Sequence, residues 1–319
     1  MRNVLVTGAG GFIGSAIAAQ LASEGKRVVG LFSSRGREVE RHLAELGVMI
    51  EDGDVCDYER MKSIIATNEI ETVFHLAAYA IVRISARDPV NTYRTNVMGT
   101  VSLLEACRSV GGVKSIVVAS SDKAYGDHLE LPYTEDHPLV PKNTYDTSKA
   151  CMDMVARSYA KNYDMPIVVT RCSNVYGPGD LNLSRIVPNT IRRMFDGKPP
   201  LLYSDISQME REFIFIDDVV NAYVLLAHLA PAASGEAYNI GGTGPTAIMD
   251  IVKMIAKEIG KEDTSPEIVE RDSSFREIGR QYIDATKILA ETGWKANISL
   301  EEGIRRTVKW YAGYFGQVS

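Results

Sequence analysis

Short apolar runs rich in β-branched residues recur through the first half of the chain. They predict strands at Asn3–Thr7, Arg27–Phe32, Val48–Glu51, Thr72–Leu76, Ser115–Ser120 and Pro166–Arg171. Between them, Ile13–Ser23, Tyr58–Thr67, Tyr93–Val110 and Tyr145–Asn162 repeat apolar residues at helical spacing. Regular strand–helix alternation implies right-handed crossovers and a parallel sheet covered on both faces. The expected fold is α/β, a doubly wound parallel sheet whose ligands sit beyond the carboxyl ends of its strands. After about residue 172 the rhythm loosens. Pro178, Pro188, Pro199 and Pro200 break the chain, a strand is expected at Phe213–Ile216, and helices at Asp217–Leu229, Met249–Ile259 and Leu300–Tyr311. There is no internal repeat and no low-complexity linker, so a smaller C-terminal domain closely joined to the first is expected.

Composition narrows the function classes. At 319 residues the chain exceeds what one small core serves. The 35 basic and 41 acidic residues give a net charge of −6 with no basic block, which argues against nucleic acid as the partner. No apolar run reaches the roughly 20 residues of a membrane helix. The chain runs straight into Val4-Leu-Val6, without the charged and apolar regions of a signal peptide. Cys56, Cys107, Cys151 and Cys172 form no Cys-x-x-Cys pair, so reduced thiols in a cytoplasmic protein are expected. The five histidines are scattered without metal-ligand spacing, so no metal is expected.

The stretch Thr7-Gly-Ala-Gly-Gly-Phe-Ile-Gly14 joins the first expected strand to the first helix. Gly8 permits a tight turn, Gly11 lets backbone approach a pyrophosphate, and Gly14 lets the helix pack closely. Glycine turns are common, but one that follows a strand and opens a helix is the setting dinucleotide binding requires.

The Gly-x-x-Gly-x-x-Gly spacing after Thr7 resembles the extended branch of the short-chain dehydrogenase/reductase superfamily. Other segments fit in order: Asp54-Val55, His75-Leu-Ala-Ala78, Asn96-Val-Met-Gly-Thr100, Tyr282-Ile-Asp-Ala-Thr-Lys287 and Gly293-Trp294. The resemblance implies a Rossmann domain over residues 1–172, with a strand and helix near 213–230 returning to it. It also implies a smaller α/β domain over 173–319 that binds a nucleotide sugar. The implied cofactor contacts are Gly8, Gly11, Phe12, Ile13 and Gly14, then Asp54 and Val55 at the adenine. Leu76, Ala77 and Ala78 line the far side, and Asn96, Tyr145 and Lys149 complete the set. The alternative for Asn96 is capping or bridging inside its own helix. The second strand ends Phe32-Ser-Ser-Arg35 without the acid that holds an NAD ribose. Ser33, Ser34, Arg35 and Arg37 suit a 2′-phosphate, so NAD and NADP both stay open, bound tightly and recycled.

Tyr145-Asp-Thr-Ser-Lys149 puts Tyr and Lys on one helical face. A free tyrosine, with pKa about 10, is a poor base at neutral pH, and a nearby ammonium favours its phenolate. With Ser121 upstream, these residues resemble the family's catalytic triad. Arg171-Cys-Ser-Asn-Val-Tyr-Gly-Pro178 is similar to the signature of nucleotide-sugar epimerases and dehydratases. The resemblance implies that Asn174, Arg185, Arg211 and Arg280 bind a nucleotide-diphosphate hexose, the arginines suiting phosphate through their bidentate forks. It further implies a homodimer through helices beginning near Tyr93 and Tyr145.

Ser121 is followed by Asp122 and Lys123. In 4-epimerases the residues after the serine are small and neutral. In 4,6-dehydratases they are an acid and a base, and Ser-Asp-Lys resembles the CDP-glucose 4,6-dehydratase branch. Asp122 as acid and Lys123 as base require a raised carboxyl pKa and a depressed amine pKa. The plain alternative is a polar turn. A 4,6-dehydratase is the favoured reading and a 4-epimerase the runner-up. An NDP-sugar reductase and a non-catalytic dinucleotide-binding protein stand further back.

Overall fold

A computed structural model describes residues 1–33, 39–207, 209–270 and 278–316. The chain forms two compact units. The first comprises residues 1–127, 135–172 and 220–240, and the second 128–134, 173–219 and 241–319.

In the first unit, strands and helices alternate as their periodicity predicts. The order is β1 (Asn3–Thr7), α1 (Phe12–Ser23), β2 (Arg27–Phe32), α2 (Glu40–Glu45), β3 (Met49–Asp52), α3 (Tyr58–Thr67) and β4 (Thr72–His75). Then come α4 (Val82–Arg87), α5 (Pro89–Tyr93), α6 (Gly99–Val110), β5 (Ser115–Ala119), α7 (Thr144–Tyr163) and β6 (Ile167–Cys172). A seventh strand, Ala237–Ile240, closes the sheet beside β6, giving the order Ala237–Ile240, β6, β5, β4, β1, β2, β3. Every pairing is parallel. Strands β4, β5 and β6 are buried along their whole length, because helices cover both faces. The core gathers Leu5, Val29, Val73, Ile116, Val118, Ile167 and Val169 from the strands against Ile64, Leu103, Leu104 and Met152 from the helices. The strand order reverses between β1 and β4, and a ligand crevice belongs at the carboxyl ends of those two strands.

Two expectations need correcting. The segment Tyr93–Val110, expected as one helix, is broken by a π-helical turn over Arg94–Met98. That turn swings Asn96 inward, and Gly99 then packs so close to Val55 that a Cβ there would lie 2.6 Å from its Cγ1. The strand near Phe213 does not return to the large sheet. Glu210–Phe215 instead pairs with Asn174–Tyr176, Pro245–Ala247 and Arg280–Gln281 in the second unit. The large sheet receives Ala237–Ile240, preceded by Val220–Leu229 of the helix Ile216–Leu229.

Inside the second unit, Glu212 is wholly buried and organises a loop. Its Oε1 accepts from the backbone N–H groups of Gly242, Thr243 and Gly244 at 2.6, 2.8 and 3.1 Å, and Oε2 from Ile283 at 3.1 Å. Burial raises its carboxyl pKa, and these four donors oppose that rise.

Among the described residues of the first unit, Arg171 and Asp153 form a fully buried ion pair. Arg171 on β6 donates Nε to Asp153 Oδ2 at 2.9 Å and NH2 to Oδ1 at 3.2 Å, both side chains being out of solvent. Its NH1 reaches the Tyr125 hydroxyl and the Glu135 carbonyl, each at 3.0 Å. Removing one partner of such a pair strands the other charge, whereas replacing both by apolar groups often costs little. Asp153→Asn is therefore expected to lower stability by about 3–5 kcal/mol. The double change Asp153→Leu with Arg171→Met is expected to lose less, read from denaturant midpoints.

Candidate active site

The glycine loop leaves β1 at Thr7. Gly8 has φ +70, and a Cβ there would meet the backbone of Ala77 at 2.8 Å. Gly11 bends back through N–H to the Gly8 carbonyl at 2.9 Å and caps α1 without any side-chain hydrogen bond. A Cβ on Gly14 would collide with the Gly8 carbonyl, so this glycine serves close packing on the loop itself. A Cβ on Gly11 would meet only that same carbonyl, at 3.2 Å. The loop thus holds a cradle that a side chain would fill, at a helix N-terminus whose first N–H groups have no intrahelical partner. Phe12 and Ile13 flank it half-buried. This cradle fits a dinucleotide pyrophosphate.

Asp54 and Val55 follow β3. Val55 is buried against Gly99, while Asp54 accepts from Cys56 N–H at 2.9 Å and pairs with Arg94 at 2.8 Å on the surface. Phe32 is buried at the end of β2, and Ser33 beyond it is exposed. Ser34, Arg35 and Arg37 lie outside the described residues.

A directed chain of hydrogen bonds ties the loop to the other strand of the crevice. Thr7 Oγ1 accepts from the N–H groups of Leu76 and Ala77, both at 3.2 Å, so its own proton goes to His75 Nδ1 at 2.8 Å. Thr100 Oγ1 donates to the Asn96 carbonyl at 2.6 Å and must accept from His75 Nε2 at 2.9 Å. Every proton is assigned, and His75 is a neutral imidazole with the proton on Nε2. Burial pushes its pKa down to about 3, with the Lys149 charge adding to the effect. Asn96, fully buried, accepts from Tyr79 N–H at 2.7 Å. It spends both amide protons, on the Tyr79 carbonyl at 3.3 Å and Ser148 Oγ at 2.8 Å. Ser148 donates to the Tyr145 carbonyl at 2.7 Å. With both donors spent, Asn96 acts as a bridge to α7. Ala78 sits half-buried beside Tyr79.

Tyr145 and Lys149 lie on the buried face of α7. Lys149 Nζ is 6.0 Å from the Tyr145 ring centroid and donates to the Ala119 carbonyl at 2.7 Å. Burial lowers its pKa to about 8. Ser121 caps a 3-10 turn over Asp122–Tyr125, directly beyond β5. Its Oγ accepts from Lys123 N–H at 3.2 Å and donates to Asp122 Oδ1 at 3.0 Å. Asp122 is 2% exposed and Lys123 half-buried. The turn is anchored at its far end, where Tyr125, bound by Arg171, donates to Asn239 Oδ1 at 2.7 Å. The packed first unit therefore brings Ser121, Asp122, Lys123, Tyr145 and Lys149 to the ends of β5 and α7, at the carboxyl edge of the sheet.

The four expected sugar-side residues all fall in the second unit. Asn174 donates to the Glu212 carbonyl at 3.0 Å, and Arg185 pairs with buried Asp180 at 3.1 Å. Arg211 is only 5% exposed, and its guanidinium meets the carbonyls of Glu210, Ile278 and Gly279 and the sulfur of Met209. That fork is engaged inside the unit. Arg280 is exposed, paired with Glu210 and stacked over the Tyr282 ring. Sequence reasoning missed His75, Thr7, Thr100, Ser148 and the Arg171–Asp153–Tyr125 cluster as site organisers. The available signal was a histidine ending the apolar strand Thr72–His75. Among the described residues no His, Cys, Asp and Glu cluster is arranged to hold a metal, and no helix is long and apolar enough to cross a membrane.

A glycine loop at a sheet's switch point, with a serine just beyond a neighbouring strand and a Tyr–Lys pair on the helix packed beside it, is the arrangement of an extended short-chain dehydrogenase/reductase. The chain belongs to the GDP-mannose 4,6 dehydratase family, whose sequence profile matches residues 5–307. It is 33% identical to the dTDP-glucose 4,6-dehydratase of Shigella flexneri, over 97% of this chain and 92% of that protein. The chain spans 49% of the length of a trifunctional Arabidopsis thaliana relative that includes a UDP-glucose 4,6-dehydratase, at 29% identity over all of this chain. Among solved structures, dTDP-glucose 4,6-dehydratase from Bacillus anthracis, in complex with NAD, superposes with TM-score 0.88 at 29% identity, covering 99% of this chain and 98% of that one. UDP-glucose 4-epimerase from Thermotoga maritima, with UDP-glucose, gives 0.89 at 29% identity, covering 98% and 100%.

The state of His75 makes a prediction. The folded protein holds it neutral, while the unfolded chain takes up a proton below pH 6.5. The unfolded state then binds more protons, so stability falls as pH drops below 6.5, by up to about 1.4 kcal/mol per unit. Denaturant midpoints of His75→Gln measured against pH are expected to lack this part of the slope.

Proposed function

We propose that the protein is a nucleotide-sugar 4,6-dehydratase acting on an NDP-hexose with a tightly held NAD or NADP. The observation that carries this reading is the buried Asp122 and adjacent Lys123 on the turn headed by Ser121. When bound, the dinucleotide would supply the hydride acceptor for sugar C4 and the hydride donor for C6. The residues that hold it are Gly8, Gly11 and Gly14 at the pyrophosphate, with Asp54, Leu76, Ala77, Tyr145 and Lys149 around the rest. Tyr145 removes the O4 proton as a phenolate, which the Lys149 ammonium stabilises. Ser121 hydrogen-bonds the same oxygen and orients it. Oxidation at C4 acidifies the C5 proton. Lys123 takes that proton, Asp122 gives its own to the C6 oxygen, the C6–O bond breaks and water leaves; when hydride comes back to C6, Lys123 hands its proton to C5. Asn174, Arg185, Arg211 and Arg280 are proposed for the diphosphate side. Of these, Arg280 has the exposure that role needs, and Arg211 must leave its present carbonyl partners to serve.

A 4-epimerase is the second reading, favoured by the equally close likeness to a UDP-glucose 4-epimerase. A cytoplasmic homodimer belongs to either reading. Exposed Val90, Met98 and Met154, on α5, the π-helical turn and α7, support the dimer, and four free cysteines support the reducing compartment.

Incubation with a panel of NDP-hexoses, followed by mass analysis, separates these readings. A product lighter by one water is expected, and an unchanged mass with inverted C4 would sink dehydration. Asp122→Asn and Lys123→Met are each expected to lose at least about 100-fold in water loss. Above about pH 8 Lys149 loses the charge that supports the Tyr145 phenolate, so kcat/KM is expected to fall on the alkaline side of that value.

A further inference from the structure

We propose that the proton on Asp122 decides where the Ser121 hydroxyl points, so that one ionisation governs the oxidation as well as the elimination. The inference rests on the reading that Ser121 serves the oxygen being oxidised. A serine hydroxyl has one proton and two lone pairs. In this fold Oγ accepts from Lys123 N–H at 3.2 Å and gives its proton to Asp122 Oδ1 at 3.0 Å. The turn that fixes both contacts is held at its other end by Tyr125 on Asn239 and Arg171.

While the O4 proton goes to Tyr145, the forming ketone oxygen can only accept hydrogen bonds. A serine whose single proton is committed to Asp122 cannot follow it. When Asp122 takes a proton from water, the bond reverses. The acid then donates to Ser121 Oγ, which keeps its Lys123 N–H contact and turns its own proton toward the substrate. No bond between heavy atoms changes in this step. The proton acquired by Asp122 is the one that later departs with the C6 hydroxyl as water, and the serine proton then returns to the carboxylate. Asp122 thus becomes a positioning residue for the first step and a catalytic acid for the second.

The buried titratable and charged groups on elements packed against the turn are Tyr145, Asp146, Lys149 and Asp153 from α7, and Arg171 and Cys172 from β6. Lys123 and Tyr125 share the turn, and the His137 ring meets Tyr125 edge-on at 6.4 Å. Arg171 and Asp153 are bound to each other. The Asp122 ionisation is told from the others by its disappearance in Asp122→Asn.

The test uses holoenzyme and two readouts. In isotope-edited NMR of the carboxyl carbons, the Asp122 midpoint is expected to rise by about one pH unit in Ser121→Ala, because the ionised form loses a hydrogen bond. Ser121→Thr is expected to restore it. An unchanged midpoint in Ser121→Ala overturns the coupling. On rapid mixing with NDP-hexoses, the rate at which reduced nicotinamide appears is expected to fall about tenfold per unit above that midpoint. Asp122→Asn, whose amide donates to Ser121 at every pH, is expected to lack this limb. A fall at the Asp122 midpoint that persists in Asp122→Asn, as distinct from the Lys149 fall above about pH 8, also overturns the proposal. Absence of reduced nicotinamide with every sugar counts against the functional reading instead, and the titration alone then decides the coupling.

Discussion

A parallel sheet buried on both faces has little room for unpaired polar groups, and its chemistry is confined to the carboxyl ends of its strands. The interior there is dry enough that each polar atom needs a partner of the right kind. Thr7, His75, Thr100 and Asn96 meet that demand with protons that can run in only one direction. A charged imidazole would put a second proton on Nδ1, against a threonine oxygen whose lone pairs are already taken. The same chain holds β1, β4 and the start of α6 in register, which aligns the glycine loop with the helix carrying Tyr145 and Lys149.

The second support of the site is electrostatic. Arg171 is a full charge with almost no exposure, tolerated because Asp153 meets it bidentately and Tyr125 and Glu135 accept from its NH1. Tyr125 ends the short turn that begins at Ser121, so the ion pair pins the segment on which Ser121, Asp122 and Lys123 stand together. A turn of four residues has few hydrogen bonds of its own. Its geometry is borrowed from β6, α7 and the Ala237–Ile240 strand.

Much of the fold was legible in the residues. β1 and β2 match their apolar runs to the residue, because a buried strand shows itself in consecutive positions. The misreadings have physical causes. The π-helical turn at Arg94–Met98 escapes a period-based reading, since one extra residue per turn leaves the surrounding helical spacing intact. Phe213–Phe215 looks like any buried strand, and nothing local says which sheet will pair with it. Arg211 looks like a phosphate ligand by type, yet its partners in the structure are backbone carbonyls, which leave no trace in the sequence.

The motifs of the candidate site are local. Gly8, Gly11 and Gly14 are one loop, Tyr145 and Lys149 one helical face, Ser121, Asp122 and Lys123 one turn, and together, in their order along the chain, they carry the family resemblance. What only the tertiary structure decided is how those pieces are oriented and protonated. Thr7 and His75 stand 68 residues apart, and Asn96 and Ser148 are separated by 52. Sequence periodicity reports which residues are buried and on which face. The partner that a buried polar atom finds comes from another segment, so the neutral His75 and the bridging Asn96 follow only from the folded packing.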